Sequence, residues 1–229
     1  MKILIAIDGA CRRNGKPDCT ASGGVFIQAF DESGKAIGYC TKGVYEYGST
    51  NQRGELLALL KALKIVWQND YEDVSIVTDS EYIFNAMTKQ WYKSWQGNDW
   101  LTRDGNPVKN RDIWELIAEC ADRCTRAENE IVFYHIKGHC IPFGAVTATT
   151  SLTEDPTGES LFKMVQDKFD NVASTKQTIF AKAAELSLKN NGFALDVHGP
   201  VFKSWVTANV VADAIATKVV DEADSHREI

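Results

Sequence analysis

Two apolar runs in this chain stop at an acid. Residues 2–8 (KILIAID) are aliphatic up to Asp8, and a second run, DVSIVTD, ends at Asp79. Short apolar runs bounded by turn residues read as strands, so each acid falls at the end of a strand. The residues between and after them fill out the frame. Residues 9–22 carry turn residues, a second strand is expected near 23–30, and Asp31-Glu32-Ser33-Gly34 is a hairpin turn into a third strand near 36–47. Thr50 or Asn51 caps the helix QRGELLALLKALKIVWQN, which carries Leu56, Leu59, Leu60, Leu63 and Trp67 on one face. Short helices follow Asp79 to about residue 96. A polar loop with Gly105 and Pro107 leads to a helix near 109–126, and EIVFYHI is a fifth strand. The order β-β-β-α-β-α-α-β predicts an α/β chain with a five-stranded mixed sheet flanked by helices.

After His139 the texture changes. Residues 141–158 read as loop, and helices are expected near 159–172 and 175–190, the second stopped by Asn190-Asn191-Gly192. A last helix near 207–222 carries Ala208, Val211, Ala212, Ile215 and Val219. These 229 residues suit one large domain or two small ones. With 44% hydrophobic residues there is ample apolar surface to offset ordering entropy, which argues against disorder. No apolar run approaches a membrane span, and the opening run is too short for a signal peptide, so a cytoplasmic location is expected.

The balance of 25 basic and 31 acidic residues, net −6, argues against gripping nucleic acid by bulk electrostatics. It leaves room for a metal-dependent enzyme whose own carboxylates enter the count. The six cysteines form no CxxC pair, so neither a zinc module nor a disulfide framework is indicated, and Cys120 and Cys124 read as small buried side chains.

Taken singly, Asp8, Glu55 and Asp79 are a strand-end acid, a first-turn acid and another strand-end acid, each readable as a cap or turn residue. Together they say more. Adjacent strand ends bring Asp8 and Asp79 close, and a helix start can bring Glu55 beside them. Clustered carboxylates repel and cost solvation energy, and divalent cations make such clusters tolerable. An oxygen-only donor set suits Mg²⁺ or Mn²⁺.

An ordered set of motifs carries a family resemblance. Asp8-Gly9-Ala10-Cys11 with Asn14, Thr50-Asn51-Gln52-Arg53-Gly54-Glu55-Leu56, Thr78-Asp79-Ser80, Trp100, Pro107-Val108-Lys109-Asn110 and Lys137-Gly138-His139 resemble type 1 ribonuclease H. Asn209-Val210-Val211-Ala212-Asp213 is similar to that family's C-terminal pattern, an acid four residues after an Asn. The resemblance covers 1–140 and about 205–222. It implies the ribonuclease H fold, with strands one to three antiparallel and the rest parallel. It further implies endonucleolytic cleavage of the RNA strand of an RNA/DNA hybrid, leaving a 3′-hydroxyl and a 5′-phosphate. Asp8, Glu55, Asp79 and Asp213 would hold two Mg²⁺ ions, one activating water and one stabilising the leaving oxygen. His139 would assist proton movement or product release. Cys11, Asn14, Asn51 and Gln52 would line the groove for the hybrid, which is read by shape, phosphates and 2′-hydroxyls. A monomer is expected, with the hybrid as partner and no membrane.

Other readings stand beside this one: another nuclease on the same fold, or a non-catalytic hybrid-binding scaffold. His135-x₃-His139 has a metal-pair spacing, although a strand places the two differently from a helix. Trp91, Trp95 and Trp100 fit either base stacking or a core. The chain also departs from the family. Where bacterial members carry a basic handle, it reads Gln96-Gly97-Asn98-Asp99 with Lys89 and Lys93 nearby, which predicts weaker substrate binding, and Glu81 adds negative charge near the acids. Between His139 and Asn209 stand residues 140–208, 69 in all, where the family has a short loop. The expected organisation is a catalytic domain of 1–140 with 206–229, and a helical insertion subdomain at 141–205. That insertion, with 6 basic and 7 acidic residues over 141–208, suits a lid, a steric guide, a partner surface or a tolerated surface insertion, not an electrostatic clamp.

Overall fold

The computed structural model describes residues 1–69, 71, 73–139, 145–171 and 200–227. One five-stranded sheet runs β3-β2-β1-β4-β5. Its strands are β1 (Lys2–Arg12), β2 (Thr20–Phe30), β3 (Ala36–Tyr47), β4 (Asp73–Thr78) and β5 (Glu130–His135). β1 pairs antiparallel with β2, and β2 with β3, while β1–β4 and β4–β5 are parallel. The mixed sheet expected from the sequence is therefore present. The first hairpin is longer than expected, because Gly9–Arg12 continue β1 against Thr20–Gly23 instead of turning away.

Side-chain alternation on β1 and β2 divides the interior in two. Ile3, Ile5, Ile7, Val25 and Ile27 point to one face, where they meet α1 (Asn51–Trp67), α2 (Glu81–Thr88) and α4 (Arg111–Arg126). Thr50 caps α1, its side chain accepting from the Arg53 N–H at 3.4 Å. The core here includes Leu56, Leu59, Leu63 and the fully buried Trp114. α3 (Trp91–Gln96) lies at its border, with Trp95 packed on Trp114 at 5.3 Å between ring centroids. Trp100 is buried, and Trp91 and Trp95 are half-buried against the same core. Cys120 and Cys124 are free and buried, as expected of small core side chains.

Leu4, Ala6, Phe26 and Val77 point to the other face. It is covered by α5 (Ala145–Glu154), α6 (Glu159–Asp170) and α7 (Pro200–Arg227). α5 lies inside the stretch expected to be loop, and α7 begins seven residues before the expected start at 207. The helix expected near 175–190 and its Asn190-Asn191-Gly192 stop fall outside the described residues. α6 buries Leu161, Phe162, Val165 and Phe169, and Phe162 packs on Phe26 at 5.5 Å and on Tyr39 at 5.7 Å. Trp205 of α7 stacks on Tyr134 at 4.1 Å.

Adjacent glycines admit one helix on each face. A Cβ at Gly23 would meet the Gly54 carbonyl of α1, and one at Gly24 would overlap the Ala212 carbonyl of α7. Because the two residues point to opposite sides of β2, this dipeptide lets both helices approach the sheet at the same level. Among the described residues no helix is long and apolar enough to cross a membrane.

Candidate active site

Asp8 is the β1 residue paired with Gly24, at a point where α7 lies close against the sheet. That approach carries Asp213, the residue after Ala212, toward Asp8 from one face. From the other face α1 starts over Gly9, where a Cβ would fall 2.8 Å from Glu55 Cγ. Asp79 follows the last β4 residue, Thr78, which pairs with β5 beside β1. Four carboxylates from four parts of the chain thus meet where the parallel β1–β4 pairing ends.

Their titration reflects that meeting. Burial first, then the Asp79 and Asp213 carboxylates, push the Asp8 carboxyl well above its ordinary range, against a Gly9 N–H that donates to it at 2.6 Å. Burial likewise raises Asp79 and Asp213, and His139 offsets part of the rise in both. Glu55 is raised by burial and by Asp79, while a hydrogen bond from Ser80 opposes the rise. His139 is exposed on a loop with φ near 54°, close enough to act on both acids.

Glu55 is the most firmly held of the four. Ser80 Oγ donates to one carboxylate oxygen at 2.6 Å and Asn51 Nδ2 to the other at 3.1 Å. The helix start is pinned by Arg53, whose guanidinium meets Glu46 of β3 and Asp112 of α4, each at 2.7 Å. Gly138 packs against Asp79 so closely that a Cβ there would overlap its carboxylate. The glycine before His139 therefore has a steric reason. One turn before Asp213, Asn209 is 3% exposed, and its Nδ2 has no partner among the described residues.

The residues expected at the groove divide. Asn51 is in contact with Glu55, as above. Gln52 accepts from Asn110 Nδ2 at 3.2 Å, which ties it to the loop before α4. Cys11 is half-buried with its thiol 3.9 Å from the Ser49 carbonyl, and burial beside Cys19 pushes it up to about 11. Asn14 sits exposed in the turn after β1. Sequence reasoning missed Ser80 as the partner of Glu55 and His135 as a partner of Asp79. Ser80 was visible only as the third residue of Thr-Asp-Ser.

The donor set is all oxygen and carries mutual repulsion, which is the chemistry that hard divalent cations relieve. Among the described residues no three of these side chains are drawn into a closed metal-holding group. The four carboxylates fit divalent cations by donor type and charge.

The RNase H family model matches residues 1–145. The chain is 34% identical to a ribonuclease H of Rickettsia felis over 148 residues, covering 64% of this chain and 86% of the relative. A ribonuclease H of Clostridium botulinum is 30% identical over 138 residues, 60% of this chain and 84% of the relative. One from Treponema pallidum is 34% identical over 142 residues, 60% and 80%. The family match ends at residue 145, and Asp213 joins the site by its place beside Asp8.

Proposed function

The chain belongs to the type 1 ribonuclease H family, enzymes that cut the RNA strand of RNA/DNA hybrids, and from that premise we propose that it works by a two-metal-ion hydrolysis leaving a 3′-hydroxyl and a 5′-phosphate. The observation that carries the reading is the convergence of Asp8, Glu55, Asp79 and Asp213, all four raised by burial and the first three also by neighbouring carboxylates. Asp8, Asp79, Glu55 and Asp213 are the residues that would hold Mg²⁺, with Mn²⁺ as a substitute. Bound there, the two cations supply charge neutralisation at the scissile phosphate and a more acidic attacking water.

The chain's own residues do the remainder. Ser80 and Asn51 orient the Glu55 carboxylate by hydrogen bonds, so that it need not reorganise when substrate arrives. His139, exposed and in reach of both Asp79 and Asp213, carries a proton at the departing 3′-oxygen or helps the product phosphate leave. Asn51, Gln52, Cys11 and Asn14 border the groove and contact sugar and phosphate, which makes cleavage largely independent of base sequence. Residues 1–140 with 206–229 act as the catalytic unit, and the protein works as a cytoplasmic monomer.

The test is a labelled RNA/DNA hybrid incubated with Mg²⁺, with Mn²⁺ or with EDTA, and the ends of the fragments analysed. Cleavage confined to the RNA strand, abolished by EDTA and giving 5′-phosphate ends, is expected. Cleavage that persists in EDTA, or 3′-phosphate products, would overturn the mechanism.

A further inference from the structure

We propose that His135 is a positioning residue for Asp79, holding the peptide that carries the carboxylate. The inference rests on the reading of Asp79 as a metal-holding residue. β4 and β5 pair in parallel up to Thr78 and His135, and the Ile136 N–H donates to the Thr78 carbonyl at 3.0 Å. The next carbonyl along, that of Asp79, lies past the last ladder bond. The His135 side chain reaches it instead, with Nε2 3.1 Å from the oxygen. A carbonyl only accepts, so Nε2 carries the hydrogen. Its ring also packs 5.8 Å from that of Phe84, which is 4% exposed and lies on α2, the helix that begins two residues after Asp79.

The side chain therefore extends the β4–β5 pairing by one bond at the residue whose direction matters most. With Gly138 pressed against the carboxylate from the same strand end, Asp79 is fixed at its carbonyl and at its carboxylate. The His135-x₃-His139 spacing is thus divided between two duties. His139 faces the acids from the loop, while His135 supports the backbone of one of them.

The substitutions separate the hydrogen bond from the packing. His135→Phe keeps a ring on Phe84 and loses the donor. His135→Gln places an amide N–H near the position of Nε2, and His135→Asn is too short to reach. In His135→Phe we expect kcat on a labelled hybrid to fall about tenfold with KM within about twofold, the loss of one well-placed hydrogen bond. Ca²⁺ affinity measured by calorimetry, without turnover, should weaken about fivefold, and the ¹⁵N resonance of the Ser80 amide should shift. His135→Gln should recover kcat to within about threefold and restore the Ca²⁺ affinity, whereas His135→Asn should not. Wild-type kcat and Ca²⁺ affinity in a folded His135→Phe, or a Gln variant no better than Asn, would overturn the proposal. If His135→Phe does not fold, the Gln and Asn pair decides. Failure of the underlying reading looks different: Asp79→Asn would then remain active.

Discussion

The two faces of the sheet are covered in opposite ways. On one face α1 and α4 come from a continuous stretch, residues 51–126, with a capped start on α1 and a regular apolar stripe on each. On the other, α5, α6 and α7 come from pieces on either side of residues 172–199, and their buried residues reach Leu4, Ala6 and Phe26 of the sheet. The contrast teaches that the acids are supplied by both faces whatever covers them. Glu55 arrives from the first and Asp213 from the second, and Asp8, inside β1 opposite Gly24, lies where both helices approach. α5 and α6 are consequently tied into the packing that seats one of the four carboxylates.

The largest effect is expected where the faces meet. Asp8→Asn or Asp79→Asn should lower hybrid cleavage by about three orders of magnitude or more, since each removes a charged oxygen from the cation-holding set. Unfolding of the same proteins in EDTA should move the other way. The folded Asp8 carboxyl holds its proton more tightly than in the unfolded chain, so without cations its contribution is most favourable at acid pH. Stability is then lost as pH rises from the ordinary carboxylate range through the raised folded value. Asp8→Asn should flatten that decline and be more stable than wild type at neutral pH. Near-normal cleavage by either variant would show that the site is misassigned.

Next in size come the two glycines that admit the helices. Gly24→Ala drives a methyl into the backbone of α7, and Gly23→Ala drives one into α1. Each should cost about 1–3 kcal/mol of stability. Each should also lower kcat by about a hundredfold by displacing Asp213 or Glu55 through roughly 1 Å. If the Gly24 variant kept full activity while the Gly23 variant lost it, the second face would have no part in catalysis.

Phe162→Ala and Trp114→Ala sharpen the same comparison through stability alone. Both side chains are deeply buried, Phe162 at 3% and Trp114 at 0% exposure. Each truncation should cost about 3–5 kcal/mol, read by denaturant unfolding. Similar values would mean that α6 is as integral to the fold as α4. A cost below about 1 kcal/mol for Phe162 would mean that α6 rests loosely on a sheet stable without it.

These contrasts also explain how far the residues could be read from sequence. The first face was legible because its signals are local: Thr50 precedes a helix with leucines at 56, 59, 60 and 63, and the turn at Asp31–Gly34 separates two strands. Asp8, Glu55 and Asp79 were legible as acids out of place in apolar elements. The second face was harder to read. α5, AVTATTSLTE, is rich in β-branched Thr and Val, residues of modest helix propensity, so packing of Ala148 and Leu152 decides its form. Gly9–Arg12 carry turn-like residues, yet pairing with β2 keeps them in the strand. The partner of the Asp79 carbonyl depends on the β4–β5 register, which no local pattern encodes.

The smallest expected effect concerns substrate grip at the border of the first face. α3 ends at Gln96, with Gly97 closing it at an ordinary φ of −72°, so side chains are tolerated there. Gln96, Gly97 and Asn98 are all exposed. The nearby Lys89 and Lys93 lie 5.8 and 5.9 Å from the ring centroids of Trp91 and Tyr92, cations resting on aromatics beside an otherwise neutral tip. Replacing Gln96, Gly97 and Asn98 together by Lys adds three charges that a hybrid's phosphates can reach. KM for the hybrid should fall by about threefold to tenfold at moderate salt, and kcat should stay near wild type because no carboxylate is disturbed. The advantage should shrink as salt rises, since exposed charges are screened over about 8–10 Å at physiological ionic strength. A KM that does not move at any salt concentration would place the hybrid's contacts away from α3, and the second face, with Lys163 exposed on α6, would then be the next surface to charge.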